Sequence, residues 1–219
     1  MSVEVKICGL RTDQAMAAAL DAGADFVGLV FYEPSPRHVD LDTARRLAGQ
    51  ARGRARTVAL MVDPDDASLD RIVSALEPDL VQLHGSEAPE RVAEIRQRSG
   101  RPVIKAVRVG GAEDVEAARA YEKGADFILY DAKPPASATG ALPGGNGVPF
   151  DWKALALASG GAPRTGFFLS GGLDPDNVAA AIRLTGAPIV DVSSGVETAP
   201  GEKDPELIRR FISAAKSLS

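Results

Sequence analysis

The most constraining feature of this chain is a short apolar run that recurs eight times along 219 residues, each time followed by a longer segment with helical spacing. Runs rich in Val, Ile, Leu and Phe predict buried strands, and the periodic Ala, Leu and charged residues between them predict amphipathic helices. The predicted strands are 3–8, 25–30, 56–62, 80–84, 103–109, 126–131, 166–170 and 188–192. The predicted helices are 12–23, 41–51, 66–77, 88–100, 111–124, 150–158, 175–186 and 205–218.

This regular alternation of strand and helix predicts a single (β/α)8 TIM barrel of parallel strands. Parallel strands need crossover connections, which are right-handed, and closure into a barrel leaves no exposed edge. No linker divides the sequence, so we expect one catalytic domain over residues 1–219. A doubly wound open sheet is the main alternative, but it would carry a glycine-rich dinucleotide loop after the first strand, and no GxGxxG follows there.

The composition is that of a globular protein with a large core, since 45% of the residues are hydrophobic and 25% are charged. The net charge is -5 and the 25 basic residues are scattered, so we expect no nucleic-acid or membrane partner. The amino terminus fits neither a secretory signal nor a membrane span. The single cysteine cannot form an internal disulfide, and a functional free thiol needs a reducing compartment, so we expect a cytoplasmic protein.

Small residues follow the last two predicted strands, at the carboxyl ends where barrel enzymes place their active sites. Gly171 and Gly172 follow the seventh strand, and Ser194 and Gly195 follow the eighth. Backbone N–H groups can approach an anion closely there, and these two loops often bind phosphate in such barrels. Glycines that serve tight turns alone are the alternative. The long segment 133–149, which follows the sixth strand, has the Pro- and Gly-rich composition of a functional loop.

Arg37 and Asp131 stand at two other strand ends. Arg37 follows Pro36 in a stiffened loop, where a guanidinium could bind a carboxylate through two parallel hydrogen bonds. A solvated loop arginine is the alternative. Asp131 ends an otherwise apolar strand, and partial desolvation there favours a protonated carboxyl group that could act as a general acid. A carboxylate that merely caps a loop is the alternative.

Cys8 and His84 end the first and fourth predicted strands. A cysteine is a catalytic base only where its surroundings favour the thiolate, and a small buried core residue is the alternative. His84 is interpreted as a substrate-facing or structural imidazole. The only other histidine is His38, and neither stands in a ligand spacing such as HxH or HExxH, so we expect no metal site.

Several of these residues lie in segments that match a known family in order. The segments are KICGL (6–10), FYEPSPRHV (31–39), VQLHG (81–85), DFILYDAK (126–133), PGGNGVPFDW (143–152), LSGGLDPDNV (169–178) and DVSSGVE (191–197). Together they resemble the phosphoribosylanthranilate isomerases, cofactor-free barrel enzymes of tryptophan biosynthesis. The resemblance covers essentially the whole chain.

The resemblance implies an Amadori rearrangement that converts N-(5-phosphoribosyl)anthranilate to 1-(2-carboxyphenylamino)-1-deoxyribulose 5-phosphate. In this family, the residues that match Cys8 and Asp131 are the general base and the general acid, and the one that matches Arg37 holds the anthranilate carboxylate. The phosphate would be held at Gly171, Gly172, Ser194 and Gly195. No metal or organic cofactor is expected, because the substrate's own iminium ion accepts the electrons. The expected partner is this small phosphorylated substrate, and the expected assembly is a monomer or a homodimer.

Three other functions are compatible with such a barrel. A sugar isomerase of histidine biosynthesis resembles a pattern with aspartate at the end of the first strand, where this chain has Cys8. A pentose-phosphate epimerase depends on metal-ligating histidines, which are missing from this sequence. A barrel that binds phosphorylated ligands without catalysis is the third alternative, and the presence of both Cys8 and Asp131 argues against it.

Overall fold

The computed structural model describes residues 3–133, 152, 155 and 166–217. Within these residues, eight parallel strands close into a barrel in the order β1 to β8, which confirms the predicted TIM barrel. The strands are β1 Glu4–Cys8, β2 Phe26–Phe31, β3 Arg56–Met61, β4 Leu80–Leu83, β5 Val103–Val109, β6 Phe127–Ala132, β7 Gly166–Leu169 and β8 Ile189–Val192. Each lies within about one residue of its predicted bounds because the apolar runs that define it are bracketed by turn residues.

Helices surround the barrel. In the described part of the chain they are α1 Asp13–Asp21, α2 Leu41–Ala51, α3 Asp66–Leu76, α4 Pro89–Ser99, α5 Ala112–Ala117, α6 Val178–Thr185 and α7 Pro205–Lys216. Four are directly preceded by a residue whose side chain accepts a hydrogen bond from a backbone N–H group of the first turn; these residues are Thr12, Asp40, Asp65 and Asp204. Such caps satisfy donors that the helix leaves unpaired, which explains why the predicted starts are accurate there. None of the described helices is long and apolar enough to cross a membrane.

Two predicted helices are shorter in the structure. The segment predicted as 111–124 ends its α-helical part at Ala117 and continues as a 3-10 turn over Ala118–Tyr121, a tightening that is common at helix ends. The helix predicted over 175–186 begins only at Val178. The preceding residues form a turn because Asp174 Oδ1 accepts hydrogen bonds from the N–H groups of Asp176 and Asn177. Most of the predicted helix 150–158 and most of the predicted loop 133–149 lie outside the described residues.

The barrel interior has an apolar floor. It is formed by inward-facing residues of seven strands, namely Phe26, Val58, Leu80, Ile104, Ala106, Leu129, Phe168 and Ile189. Phe168 is fully buried and meets Phe26 edge to face, with the ring centroids 5.2 Å apart. A second and larger core lies between the outer faces of the strands and the helices.

A short antiparallel hairpin follows β8. Its strands are β9 (Glu197–Ala199) and β10 (Glu202–Lys203), and it leads directly into α7. A 3-10 turn over Ser194–Val196 connects β8 to this hairpin. The hairpin therefore lies beside the carboxyl ends of the barrel strands, where the polar residues gather.

Candidate active site

Three of the predicted residues at strand ends face the same interior. Side chains two residues apart on a strand share a face, so Cys8 lies above Lys6 on β1 and Asp131 lies above Leu129 on β6. By the same alternation, His84 follows Leu80 and Gln82 along β4, and it is buried like Cys8 and Asp131. The carboxyl ends of parallel strands meet at one mouth of the barrel, and the structure brings the predicted thiol, carboxyl and imidazole groups together there.

Cys8 occupies space that a neighbouring glycine leaves open. It pairs in register with Gly28 on β2, and a Cβ atom at Gly28 would lie only 2.9 Å from Cys8 Sγ. Gly9, with φ at +80°, turns the chain sharply away after the thiol. Ser193 Oγ donates a hydrogen bond to the Cys8 carbonyl oxygen at 3.2 Å. The thiol is thus held on a fixed backbone at the mouth, and it is buried with 4% exposure.

A buried ion pair lies directly beneath this thiol. Lys6 Nζ is 2.9 Å from Asp191 Oδ1 on β8, and neither side chain is exposed by more than 5%. Burial raises the pKa of the Cys8 thiol above its ordinary value, whereas the positive charge of Lys6, which also hydrogen-bonds to Cys8, lowers it. Burial alone would lower the pKa of Lys6, but Asp191 and Cys8 outweigh this effect and raise it. Lys6 is therefore a buried cation that stabilises the thiolate of Cys8.

Asp131 is held from two sides. Its Oδ1 accepts a hydrogen bond from the N–H of Ala132 at 2.9 Å, and its Oδ2 lies 3.2 Å from His84 Nε2. Gln82 Nε2 lies 3.1 Å from the other ring nitrogen, Nδ1, of His84. The side chains therefore form a row from Gln82 through His84 to Asp131, and His84 contacts the predicted acid directly.

Arg37 is buried at the mouth instead of solvated. Its Nε and Nη2 atoms each lie 2.8 Å from a different carboxylate oxygen of Glu197, the bidentate geometry in which arginine binds carboxylates most strongly. Lys203 Nζ lies 2.6 Å from Glu197 Oε1. Burial raises the pKa of Glu197, but its hydrogen bonds with Arg37 and its contact with Lys203 outweigh this effect and lower it. The guanidinium that was predicted to meet a ligand carboxylate is thus fixed by a carboxylate of the protein.

The two glycine loops after β7 and β8 pack against each other. A Cβ atom at Gly195 would lie about 1.9 Å from the carbonyl oxygen of Leu173, so only glycine fits there. Gly171 and Gly172 both have positive φ angles, 83° and 68°. Asn177 Nδ2 donates to the carbonyl oxygen of Gly172 at 2.8 Å and so secures the first loop. The predicted phosphate residues, with the partly buried Ser194, are therefore brought to one place by backbone packing.

Metal-ligating side chains do not cluster in the residues that the structure describes. Residues 3–133 and 166–217, with 152 and 155, contain no group of three His, Cys, Asp or Glu side chains arranged to hold a metal ion. Asp131 and His84 meet as a pair, and Cys8 lies beside Lys6 and Asp191. This site can accordingly supply an acid, a thiol and cations to a bound molecule.

Comparison with known proteins identifies the family. The sequence model described as N-(5'-phosphoribosyl)anthranilate (PRA) isomerase matches residues 5–214. The chain belongs to this family. The N-(5'-phosphoribosyl)anthranilate isomerase of Parvibaculum lavamentivorans is 53% identical over 216 residues, which cover 99% of each chain. As a member of this family, the chain is an isomerase of the aldose-ketose type.

Solved structures of the family have the same barrel. A phosphoribosyl anthranilate isomerase in complex with reduced 1-(o-carboxyphenylamino)-1-deoxyribulose 5-phosphate matches with a TM-score of 0.83 and 34% identity, covering 98% of this chain and 99% of that one. A structure of monomers of the dimeric isomerase from Thermotoga maritima matches with a TM-score of 0.82 and 34% identity, over the same shares. The resemblance that the sequence segments indicated is thereby confirmed.

Sequence reasoning missed five polar residues of this candidate site: Lys6, Gln82, Asp191, Glu197 and Lys203. Four of them lie inside the segments that carried the resemblance, and Lys6 stands two positions before Cys8, which places both on one face of β1. That spacing is the signal that could have found Lys6. Lys203 lies outside every segment, and only the hairpin after β8 brings it to the site.

Proposed function

We propose that this chain catalyses the Amadori rearrangement of N-(5-phosphoribosyl)anthranilate, with Asp131 as the general acid and Cys8 as the general base. The observation that supports these roles is that the two groups face the same barrel interior from β6 and β1, in a chain that belongs to the isomerase family. Between them, on the shorter way round the barrel, lie only β7 and β8, which carry the glycine loops. An acid and a base placed apart in this way can act on different atoms of one sugar.

The first step is ring opening. Asp131, in its protonated form, donates a proton to the ring oxygen as the bond between that oxygen and C1 breaks. The lone pair of the anilinic nitrogen forms the new C1=N bond, which gives a protonated Schiff base. His84, which contacts the carboxyl group, and the N–H of Ala132 fix the orientation of Asp131 during this transfer. Positioned acids of this kind typically accelerate proton transfer by about 10²- to 10⁴-fold.

The second step is removal of the C2 proton. The positive Schiff base makes this proton acidic, and the thiolate of Cys8 takes it, so that the electron pair moves to the nitrogen and an enolamine forms. The enolamine then tautomerises to the ketone, and the substrate undergoes no net oxidation or reduction. Lys6 supports this role because its positive charge stabilises the thiolate against the cost of burial.

The substrate's two anionic ends are assigned to two different features of the mouth. Arg37, always charged and held in a fixed orientation by Glu197, is the proposed anchor for the anthranilate carboxylate. Gly171, Gly172, Ser194 and Gly195 are the proposed phosphate site, since their loops pack together and glycine permits the close approach of a ligand to backbone N–H groups. His84 would face the sugar between these two ends.

The proposed reaction also bears on the binding partner and the cellular compartment of this chain. One family member of known structure is in complex with a phosphorylated compound, and we propose a small phosphorylated molecule as the partner of this chain too. A free thiol serves as a base only while it stays reduced, which supports the sequence-based prediction of the cytoplasm. A monomer or a homodimer is the proposed assembly.

The function is tested with purified protein and N-(5-phosphoribosyl)anthranilate formed from anthranilate and ribose 5-phosphate. We expect the protein to accelerate the loss of the substrate's fluorescence, and we expect this acceleration to persist when a chelator is present. Cys8→Ala and Asp131→Ala should each reduce turnover by at least about 100-fold while the protein stays folded. Asp42→Ala, which changes a carboxylate that is 96% exposed, is the matched control and should leave turnover normal. An inactive wild-type protein would contradict the function, and near-normal turnover of either site variant would contradict that residue's role.

A further inference from the structure

The hairpin after β8 brings two charged side chains to the site. Neither side chain takes part in the proposed acid-base chemistry. Glu197 starts β9 and Lys203 ends β10, so the two residues face each other across the ends of the hairpin. Their side chains are only 4% and 1% exposed. Even a well-paired buried ion pair adds little net stability, because the cost of desolvation offsets the attraction, so stability alone does not explain this arrangement.

The tip of the hairpin is seated on the loop that carries Arg37. Gly201 has a φ of +85°, and a Cβ atom there would lie 2.4 Å from the carbonyl oxygen of Pro36. The same carbonyl oxygen accepts a hydrogen bond from Arg11 Nη1 at 2.7 Å. Because only glycine permits this close approach, the position of the hairpin is fixed relative to the residue that directly precedes Arg37.

Glu197 determines the orientation of the Arg37 guanidinium. Its two carboxylate oxygens accept hydrogen bonds from Nε and Nη2, each at 2.8 Å, so the plane of the guanidinium is fixed. The methylene stem of Arg37 packs against Gly9, where a Cβ atom would lie 3.0 Å from Arg37 Cδ. A long side chain that is held in its bound conformation loses less conformational entropy when a ligand binds.

Lys203 holds Glu197 in turn and connects it to the loop beside the thiol. Its Nζ donates to Glu197 Oε1 at 2.6 Å, to the carbonyl oxygen of Ser193 at 2.9 Å and to Ser193 Oγ at 3.2 Å. Ser193 Oγ donates to the carbonyl oxygen of Cys8. One continuous chain of hydrogen bonds therefore runs from the proposed carboxylate anchor to the backbone of the proposed base.

We propose that Glu197 and Lys203 are positioning residues that set the specificity of this site for an aromatic amine that carries a carboxylate. Glu197 orients Arg37, and Lys203 holds the Glu197 carboxylate in place. The inference rests on the proposed function, in which Arg37 binds the anthranilate carboxylate. It goes further by assigning the discrimination between carboxylated and uncarboxylated substrates to two residues that do not contact the substrate.

The test compares two substrates in each variant: N-(5-phosphoribosyl)anthranilate and its analogue made from aniline, which lacks the carboxylate. The measured quantity is the ratio of their kcat/KM values. Glu197→Gln places an amide NH₂ group against the N–H donors of Arg37 or Lys203, so the guanidinium loses its alignment. We expect the ratio to fall by about 10- to 100-fold, the range typical of hydrogen bonds to charged groups. Glu202→Gln makes the same change at an exposed position of the same hairpin, and there the ratio should stay within about 2-fold.

The outcomes separate this inference from the proposed function. If the wild-type protein does not turn over the anthranilate substrate, the proposed function fails. If it does, but Glu197→Gln lowers kcat/KM equally for both substrates or for neither, the residue is merely structural and the inference is overturned. Where Glu197→Gln does not fold, Glu197→Asp serves instead, since it keeps the charge but withdraws the carboxylate, and a lowered ratio is again expected. Lys203→Met should lower the ratio as well. Lys203→Arg keeps a positive charge, so its ratio should lie between those of Lys203→Met and the wild-type protein. Equal ratios in these two variants would remove Lys203 from the proposal.

Discussion

His84 Nε2 lies 3.2 Å from Asp131 Oδ2, and both side chains are 9% exposed. With Gln82 Nε2 donating to Nδ1, the proton of a neutral His84 is on Nε2 and points at the carboxyl group of Asp131. The imidazole is thus oriented from behind by an amide, in the way that a base or ligand is usually oriented by a second hydrogen bond. This relationship makes His84 a positioning residue for the proposed acid.

His84→Leu removes the N–H group that faces Asp131. The carboxylate that forms as Asp131 gives up its proton then loses a hydrogen bond, so kcat should fall by about 10- to 100-fold, the range typical of hydrogen bonds to charged groups. His84→Gln keeps a donor at nearly the same distance and should retain most of the activity. Steady-state kinetics on both purified variants provide the measurement, with thermal unfolding to confirm that both are folded. Equal activities of the Leu and Gln variants would show that the hydrogen bond to Asp131 has no catalytic importance.

The pH dependence of activity should report the thiol of Cys8. Because the thiolate is the proposed base and burial raises the pKa of Cys8, kcat/KM should still increase with pH above the ordinary pKa of a thiol, about 8.5. Lys6 lowers this pKa because its positive charge favours the thiolate. Lys6→Met removes that charge and leaves Asp191 as a nearby negative one, so both effects should move the rising limb to higher pH.

Lys105→Met is the matched control for this experiment. Lys105 is also a buried lysine, paired at 2.5 Å with Glu87, but it lies on β5 and faces away from Cys8. Both variants leave a buried carboxylate without its partner, which should cost about 3 to 5 kcal/mol of the free energy of unfolding in each case. Only Lys6→Met should shift the pH profile of kcat/KM. An unshifted profile in Lys6→Met would show that Lys6 does not affect the ionisation of Cys8.

The barrel could be predicted from the sequence because its signals are local. Each strand is a short apolar run bracketed by turn residues, and each closely predicted helix start, such as Asp40 or Asp65, is a cap that acts on the next three residues. The start of α6 was predicted three residues early for a reason of the same kind. The side chains of Asp174 and Asn177 bond to one another and to the local backbone, and this holds the segment as a turn.

The site could be predicted only in part because its contacts are not local. Cys8, Arg37, His84 and Asp131 could be predicted because they end or follow strands, and the ends of strands can be recognised in the sequence. The partner of Arg37 stands 160 positions further along the chain, and the partner of Lys6 stands 185 positions further. Such pairs exist only once β8 closes on β1, and no spacing rule within a helix or strand relates them.

The floor of the barrel should carry much of the stability. Phe168 is fully buried and contacts Phe26 and Phe127 edge to face, with centroid distances of 5.2 and 5.6 Å. Phe168→Ala should lower the free energy of unfolding by about 3 to 5 kcal/mol, the range for a large aromatic side chain removed from a core. Chemical denaturation gives the measurement, and Leu184→Ala, at a side chain 44% exposed, should stay within about 0.5 kcal/mol. A loss below about 1 kcal/mol for Phe168→Ala would mean that the floor repacks.

Ser194→Asp should selectively weaken binding of the phosphate end of the substrate. Ser194 is partly buried in the loop after β8, beside Gly195, whose Cα packs on the loop after β7. A carboxylate there would face the phosphate, and like charges in contact cost several kcal/mol, so KM should rise by about 100-fold or more. Inhibition by inorganic phosphate should weaken in parallel. Ser213→Asp introduces the same charge at an exposed position of α7 and should change neither KM nor the inhibition by phosphate. If Ser194→Asp also left phosphate inhibition unchanged, the phosphate site would have to lie elsewhere in the barrel.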